Sequence, residues 1–153
     1  MEQKKGDNGE AIASSMLALA KLTVPVIAIV IGEGSSGGAL ALGLGNKVLM
    51  LENAIYSILS PEGYASILWK DASRTKEAAE KMKLTAKDLY ELGIIDKIIK
   101  EPKGDGEESF LKVAKSLKRE ILKTIEERKG MSPQEIQEER YQKFRNMGEY
   151  TVI

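Results

Sequence analysis

The chain has 153 residues, 42% of them apolar and 30% charged, with 23 basic side chains balanced by 23 acidic ones. That length predicts one domain with a sizeable core, and the balanced charge excludes the basic footprint of a nucleic-acid binder. Cys and His are absent, which excludes disulfide scaffolds, thiolate metal sites, cysteine nucleophiles and the commonest general base; chemistry must run on backbone amides, hydroxyls, carboxylates, lysines or a partner's groups, with no metal.

Asp7 and Glu10 have the spacing of a capping box with a carboxylate in place of the hydroxyl. Ile12, Met16, Leu19 and Ala20 then recur at helical spacing through Leu22. Residues 25–31 form a β-branched run, which predicts a strand buried on both faces. Residues 32–38 break it. Residues 39–44 read as a short apolar helix ended by Gly45-Asn46, and 47–51 and 55–59 as two strands joined at Glu52-Asn53-Ala54. Ser60-Pro61-Glu62 opens a helix, with a hydroxyl cap, proline at the first helical position and an acid near the positive dipole end. Helices over 75–83 and 85–92 follow, the second capped by Thr85 and stopped by Gly93. Residues 94–99 predict a last strand and 101–106 a loop. Phe110, Ala114, Leu117, Ile121 and Ile125 mark one face of a long amphipathic helix ending at Gly130. Ser132-Pro133-Gln134-Glu135 starts a more polar helix.

Alternating strands and helices predict an α/β fold. The charged C-terminal helices read as an outer layer, a subunit contact or a solvated tail. The longest apolar run, residues 24–31, is far short of the roughly 20 residues that cross a bilayer. Residues 1–6 lack the apolar stretch of a signal peptide. A soluble, cytoplasmic chain with no membrane or nucleic-acid partner is the expectation.

Residues 32–39 satisfy three chemical patterns at once. Gly32-x-Gly34-x-x-Gly37 matches a dinucleotide fingerprint, with Glu52 twenty positions on as the ribose acid. Against it, Glu33 would sit beside a pyrophosphate, and a strand follows Glu52 where a crossover helix is needed. Gly34-x-Ser36-x-Gly38 matches a nucleophile elbow, but no His is present to act as its base. The third pattern is a backbone anion site: a glycine-rich strand-to-helix turn leaves the first helical amides unpaired. Such amides can stabilise an oxyanion with no titratable side chain. A tight turn that merely permits close packing is the plain alternative.

Gly32-Glu33-Gly34-Ser35-Ser36-Gly37-Gly38-Ala39-Leu40-Ala41 resembles the glycine signature of the carboxyltransferase alpha subunit of bacterial acetyl-CoA carboxylase. Ser60-Pro61-Glu62-Gly63-Tyr64-Ala65-Ser66-Ile67-Leu68-Trp69-Lys70 resembles a second long motif of that family. Glu10-Ala11-Ile12-Ala13, Leu92-Gly93-Ile94-Ile95-Asp96 and Arg140-Tyr141-Gln142 agree with it, so the likeness runs from about residue 6 to residue 148.

The resemblance implies a crotonase-like (ClpP/crotonase) α/β fold, a β-β-α superhelix present in part, with C-terminal helices. Residues 1–103 would be core and 104–153 a charged helical segment packing on the core or a partner. It also implies transfer of a carboxyl group from carboxybiotin to acetyl-CoA, giving malonyl-CoA for fatty acid biosynthesis. Biotin would arrive on the biotin carboxyl carrier protein. The carboxyltransferase beta subunit and biotin carboxylase would be the other partners, in an alpha2beta2 hetero-oligomer. By the family's pattern, the amides of Gly38 and Ala39 donate to the biotin ureido oxygen, with Gly37 and Gly34 shaping the cofactor site. Ser35 and Ser36 would be turn and cap residues, and Glu33 would anchor the turn.

The sequence also departs from that pattern. Alpha subunits of the family are much longer, with an earlier strand and a glycine-proline turn upstream. The spacing around residues 6–9 is one residue longer than usual, Tyr64 replaces a smaller residue, and Gly104-Asp105-Gly106-Glu107 lacks a His-containing loop. The expectation is therefore a carboxyltransferase chain inactive by itself, with a non-catalytic assembly module as the rival reading.

Overall fold

The central strand is the most deeply buried one. In the computed structural model, which describes residues 8–104 and 106–148, strand β3 (Lys47–Leu51) lies between β1 (Ile27–Val30) and β5 (Lys97–Ile99), all parallel. Leu49 and Met50 have no exposed surface and Val48 has 2%. Burial on both faces, expected of residues 25–31, thus belongs to β3. Strand β1 is half-buried because it is an edge of this sheet. It is also shorter than expected, since the Val26 N–H is taken by the Asn46 side chain at 3.1 Å.

Part of the glycine-rich break is itself a strand. Strand β2 (Glu33–Ser35) pairs in parallel with β4 (Ile55–Ser57), placing Gly34 opposite Tyr56. Strands β3 and β4 are joined through Glu52-Asn53-Ala54 as expected, yet they belong to different sheets. The chain therefore passes from the three-stranded sheet to the two-stranded one twice, from β1 to β2 and from β3 to β4.

The helices are α1 (Asn8–Ala20), α2 (Ser36–Leu42), α3 (Pro61–Trp69), α4 (Thr75–Lys81), α5 (Ala86–Glu91), α6 (Glu107–Glu127) and α7 (Pro133–Arg145). Asp7, the expected cap of the first, lies outside the described residues. The Ser60 hydroxyl accepts the Gly63 N–H at 3.1 Å and that of Thr85 accepts Asp88 N–H at 3.3 Å. Ser132 and Glu135 form a reciprocal capping box. The last strand starts only at Lys97, because the N–H groups of Ile94 and Ile95 both turn back to the Leu89 carbonyl that ends α5.

The core joins β3 to Ala54, Ala86, Leu89, Ile95 and Ile99, and α6 lays Val113, Leu117 and Ile121 against it. Phe110 (70% exposed) and Ile125 (47%) point away. The expected apolar face of α6 is therefore rotated: periodicity marks a broad stripe, and only its Val113–Leu117–Ile121 side meets the sheet. Helix α7 is fastened by charge. Arg140, 1% exposed, donates to the carbonyls of Leu19, Leu22 and Val24 at 2.7–2.8 Å and to Asn46 Oδ1 at 2.7 Å. Glu139 accepts from Nε and Nη2 of Arg128 at 2.7–2.8 Å. A buried guanidinium is tolerated when its donors are satisfied in this way.

Candidate active site at the glycine turn

Helix α2 begins at Ser36, three residues before the predicted start. Ser35 is the N-cap, with extended backbone and no side-chain cap bond; its hydroxyl instead lies 3.4 Å from that of Ser57 on the paired strand. Ser36 has a φ of 65°, a conformation uncommon outside glycine, and it turns the chain sharply from β2 into the helix. In any helix the N-cap and first three residues have N–H groups without an intrahelical acceptor. Here these are Ser35, Ser36, Gly37 and Gly38. Ala39 is next, the first N–H directed at a helix-end carbonyl, that of Ser35.

The two central glycines face different surroundings. A Cβ on Gly37 would overlap Cδ1 of Ile12 on α1, so glycine is what lets α1 approach. A Cβ on Gly38 would meet nothing within 4 Å, and Gly38 is exposed. Beside this turn a cleft of about 220 Å³ is lined by Gly34, Ala39, Gly43, Tyr56 and residues at the end of β1. Of the predicted site residues, the structure therefore brings Gly34 and Ala39 to the cleft, leaves Gly38 exposed and outside its lining, and turns Gly37 toward α1. Glu33 is exposed and has no side-chain partner among the described residues, so it does not anchor the turn.

On the far side of Tyr56 lies a second, mainly apolar cleft of about 620 Å³, reached by Leu40, Leu59, Met82 and Leu84. A still larger groove, about 780 Å³ between α1 and α7, shares no residue with the glycine turn. Burial pushes the Tyr56 phenol above its ordinary range, so near neutral pH it is a hydroxyl donor. The dinucleotide reading loses its geometry: Gly34 is paired within a strand, and Glu52 binds Lys100 and the Glu101 N–H. The lysine's hydrogen bond, with that backbone N–H, holds the Glu52 carboxyl below its usual range.

A family model for acetyl co-enzyme A carboxylase carboxyltransferase-like proteins matches residues 1–148. The chain belongs to this carboxyltransferase-like family. The acetyl-coenzyme A carboxylase carboxyl transferase subunit alpha of Clostridium acetobutylicum is 51% identical over 150 residues, covering 98% of this chain and 55% of that protein. Its counterpart in Clostridium perfringens is 56% identical over 139 residues, covering 91% and 51%. The chain spans about half the length of the curated relatives it matches.

Among solved structures, a chain of a Pseudomonas malonate decarboxylase hetero-tetramer in complex with coenzyme A superposes with a TM-score of 0.63 at 18% identity, over 90% of this chain and 57% of that one. The transcarboxylase 12S core, with hydrolysed methylmalonyl-coenzyme A bound, gives 0.59 at 20% identity, over 82% and 23%. A probable enoyl-CoA hydratase of Mycobacterium thermoresistibile gives 0.51 at 14% identity, over 94% and 62%. At such identities these likenesses speak for the fold, and the fold of this carboxyltransferase-like chain is the crotonase-like α/β arrangement that the motifs imply. Among the described residues no helix is long and apolar enough to cross a membrane.

Two features of the structure were not legible in the sequence, one at the site and one at the α7 junction. Tyr56 reads there only as a strand residue, and nothing local reveals that it faces Gly34. Asn46 reads as a helix stop, yet it is 3% exposed and bridges the Val26 N–H, the Ile136 carbonyl and Arg140. The sequence signal for Arg140 lay only in the family motif around it.

Proposed function

We propose that this chain supplies the biotin-facing part of a carboxyltransferase that moves a carboxyl group from carboxybiotin to acetyl-CoA, giving malonyl-CoA. The observation that carries the reading is the first turn of α2, where Gly38 is exposed and unobstructed and the next residue, Ala39, lines a cleft together with Gly34. Neutral N–H donors suit a ureido oxygen, which is uncharged when biotin is carboxylated and gains negative charge as the carboxyl group leaves. Biotin, delivered on a carrier protein, supplies the carboxyl group and then a ring nitrogen able to take the proton from the thioester's methyl group. That fits a chain without His or Cys.

In this reading Gly38 is the leading donor and Ala39 the second, its N–H shared with the Ser35 carbonyl in the three-centre manner common at helix ends. Fixed amides stabilise the growing charge because they need no reorientation when the bond breaks; one such donor is commonly worth about 100–1000-fold in rate. Gly37 contributes by letting Ile12 press the turn into place. Residues 104–148 act as a brace on the core, through α6 on the sheet and Arg140 on the end of α1. The beta subunit would hold acetyl-CoA, and the carrier protein and biotin carboxylase would complete a cytoplasmic complex.

The test is carboxyl transfer by this chain mixed with a carboxyltransferase beta subunit, run from malonyl-CoA to the biotinyl carrier or from the carboxybiotinyl carrier to acetyl-CoA. Turnover only in the mixture supports the reading. Tight association without turnover supports the assembly module instead, a role favoured by the exposed Ile67 and Leu68 of α3, at 61% and 59%.

A further inference from the structure

Tyr56 occupies space that two glycines leave for it. A Cβ on Gly34 would come within 3.0 Å of Tyr56 Cδ2, and one on Gly43 would overlap the phenol oxygen. Gly34 is its opposite number in the β2–β4 register, and Gly43 follows the last residue of α2. The ring thus reaches from the strand pair to the far end of the helix whose first turn carries the open amides. Its base is fixed, because the Tyr56 N–H donates to the Leu84 carbonyl at 3.1 Å.

At its tip, the hydroxyl donates to the Ala39 carbonyl at 3.2 Å. That carbonyl needs a donor. In a continued helix the Gly43 N–H would supply it, but that group goes to the Leu40 carbonyl at 3.3 Å. With the Gly43 N–H turned to Leu40, the phenol is a donor from outside the helix to the Ala39 carbonyl. Helix α2 has only seven residues, so a clamp at one end is felt at the other. Its first turn is pressed by Ile12 at Gly37, and its last turn is tied by Tyr56.

We propose that Tyr56 is a positioning residue for the amide site: through the Ala39 carbonyl its hydroxyl sets the roll of α2, and so the direction in which the Gly37, Gly38 and Ala39 N–H groups point. Ala39 joins the two halves, with its carbonyl on the phenol and its N–H beside the cleft. The structural half of this inference stands by itself; its consequence for turnover rests on the carboxyltransferase reading above.

Tyr56→Phe separates the hydroxyl from the ring, which stays between Gly34 and Gly43. Two measurements on the whole chain decide the matter. In amide-resolved NMR, the variant is expected to shift the Gly37, Gly38 and Ala39 resonances and to speed their hydrogen exchange, while core amides such as Leu49 and Met50 stay put. In the carboxyl-transfer mixture, kcat is expected to fall about tenfold, less than loss of a direct oxyanion donor, with the KM for the CoA thioester unchanged. Gly43→Ala, whose Cβ would overlap the hydroxyl and come within 2.9 Å of the Ala39 carbonyl, disturbs the same junction and should also shift those amides. Unmoved first-turn amides in both variants, or a lowered melting temperature with kcat intact, would make Tyr56 a packing residue and overturn the proposal. Should the unaltered chain transfer nothing with its beta subunit, the functional reading falls, and the amide shifts alone decide whether Tyr56 sets the helix.

Discussion

Gly38→Ala separates folding from function at the candidate site. The added methyl would meet no atom within 4 Å, and Gly38 is not among the glycines with positive φ, so the backbone tolerates alanine. Replacing glycine by alanine inside a helix typically stabilises by about 0.5–1 kcal/mol, and toward the first turn the gain should lie at the lower end. The melting temperature should therefore hold or rise by about 1–3 °C. The methyl has a direction, however. Helical Cβ atoms tilt toward the N-terminus, the end at which the unpaired N–H groups point, and an acceptor oxygen must approach those groups to about 2.9 Å. The substitution should thus obstruct at least one donor, with a loss of about 100–1000-fold in transfer rate. Thermal denaturation and carboxyl transfer in the mixture with a beta subunit read the two effects. A variant that melts like the parent and turns over like the parent would refute the placement of the acceptor.

Gly37→Ala should behave in the opposite manner, destabilising by about 1–3 kcal/mol through overlap with Ile12, and Ile12→Val, which removes the overlapping Cδ1, should recover most of it in a urea titration. Arg140→Ala should destabilise by about 3–5 kcal/mol, because it removes the donor from three carbonyls at the end of α1 and the start of the following loop; a change below about 1 kcal/mol in chemical denaturation would show that the guanidinium is not a fastener. Arg140→Lys should recover little, since one ammonium cannot span those acceptors. Glu139 gives a pH dependence. Burial raises its carboxyl, but the hydrogen bonds from Arg128 and Asn46 outweigh burial and hold it below the ordinary value of 4.5. A depressed carboxyl lends stability above the unfolded value and loses it as pH falls through the folded one, so melting temperature should drop on acidification below about pH 4.5, and less steeply in Glu139→Gln.

The parts of the fold that were legible are those with local causes. Ser60-Pro61 and Ser132-Pro133 start helices because the hydroxyl, the proline and the following acid act within one turn. The strand over 47–51 follows from the apolar run Val48-Leu49-Met50-Leu51. Strand β2 was hidden because Glu33-Gly34-Ser35 has little strand propensity of its own; it is held by register with β4, twenty-two residues away. The start of α2 was placed late because Gly37 and Gly38 are poor helix formers, and the sharp turn at Ser36 overrides that preference. Arg140 sits in a helix whose composition reads as solvated, and its burial follows from carbonyls that only tertiary structure brings to it. The glycine motif named the candidate site, but it could not show that Gly37 faces α1 while Gly38 stays open.

The most direct test of the central claim is an amide-resolved NMR titration of the chain with a biotinyl-lysine peptide. If the first turn of α2 receives the ureido oxygen, the Gly38 and Ala39 amide protons should move downfield most and together, and Gly38→Ala should abolish the response. Saturable binding that leaves both resonances in place, or shifts clustered instead in the groove between α1 and α7, would contradict it.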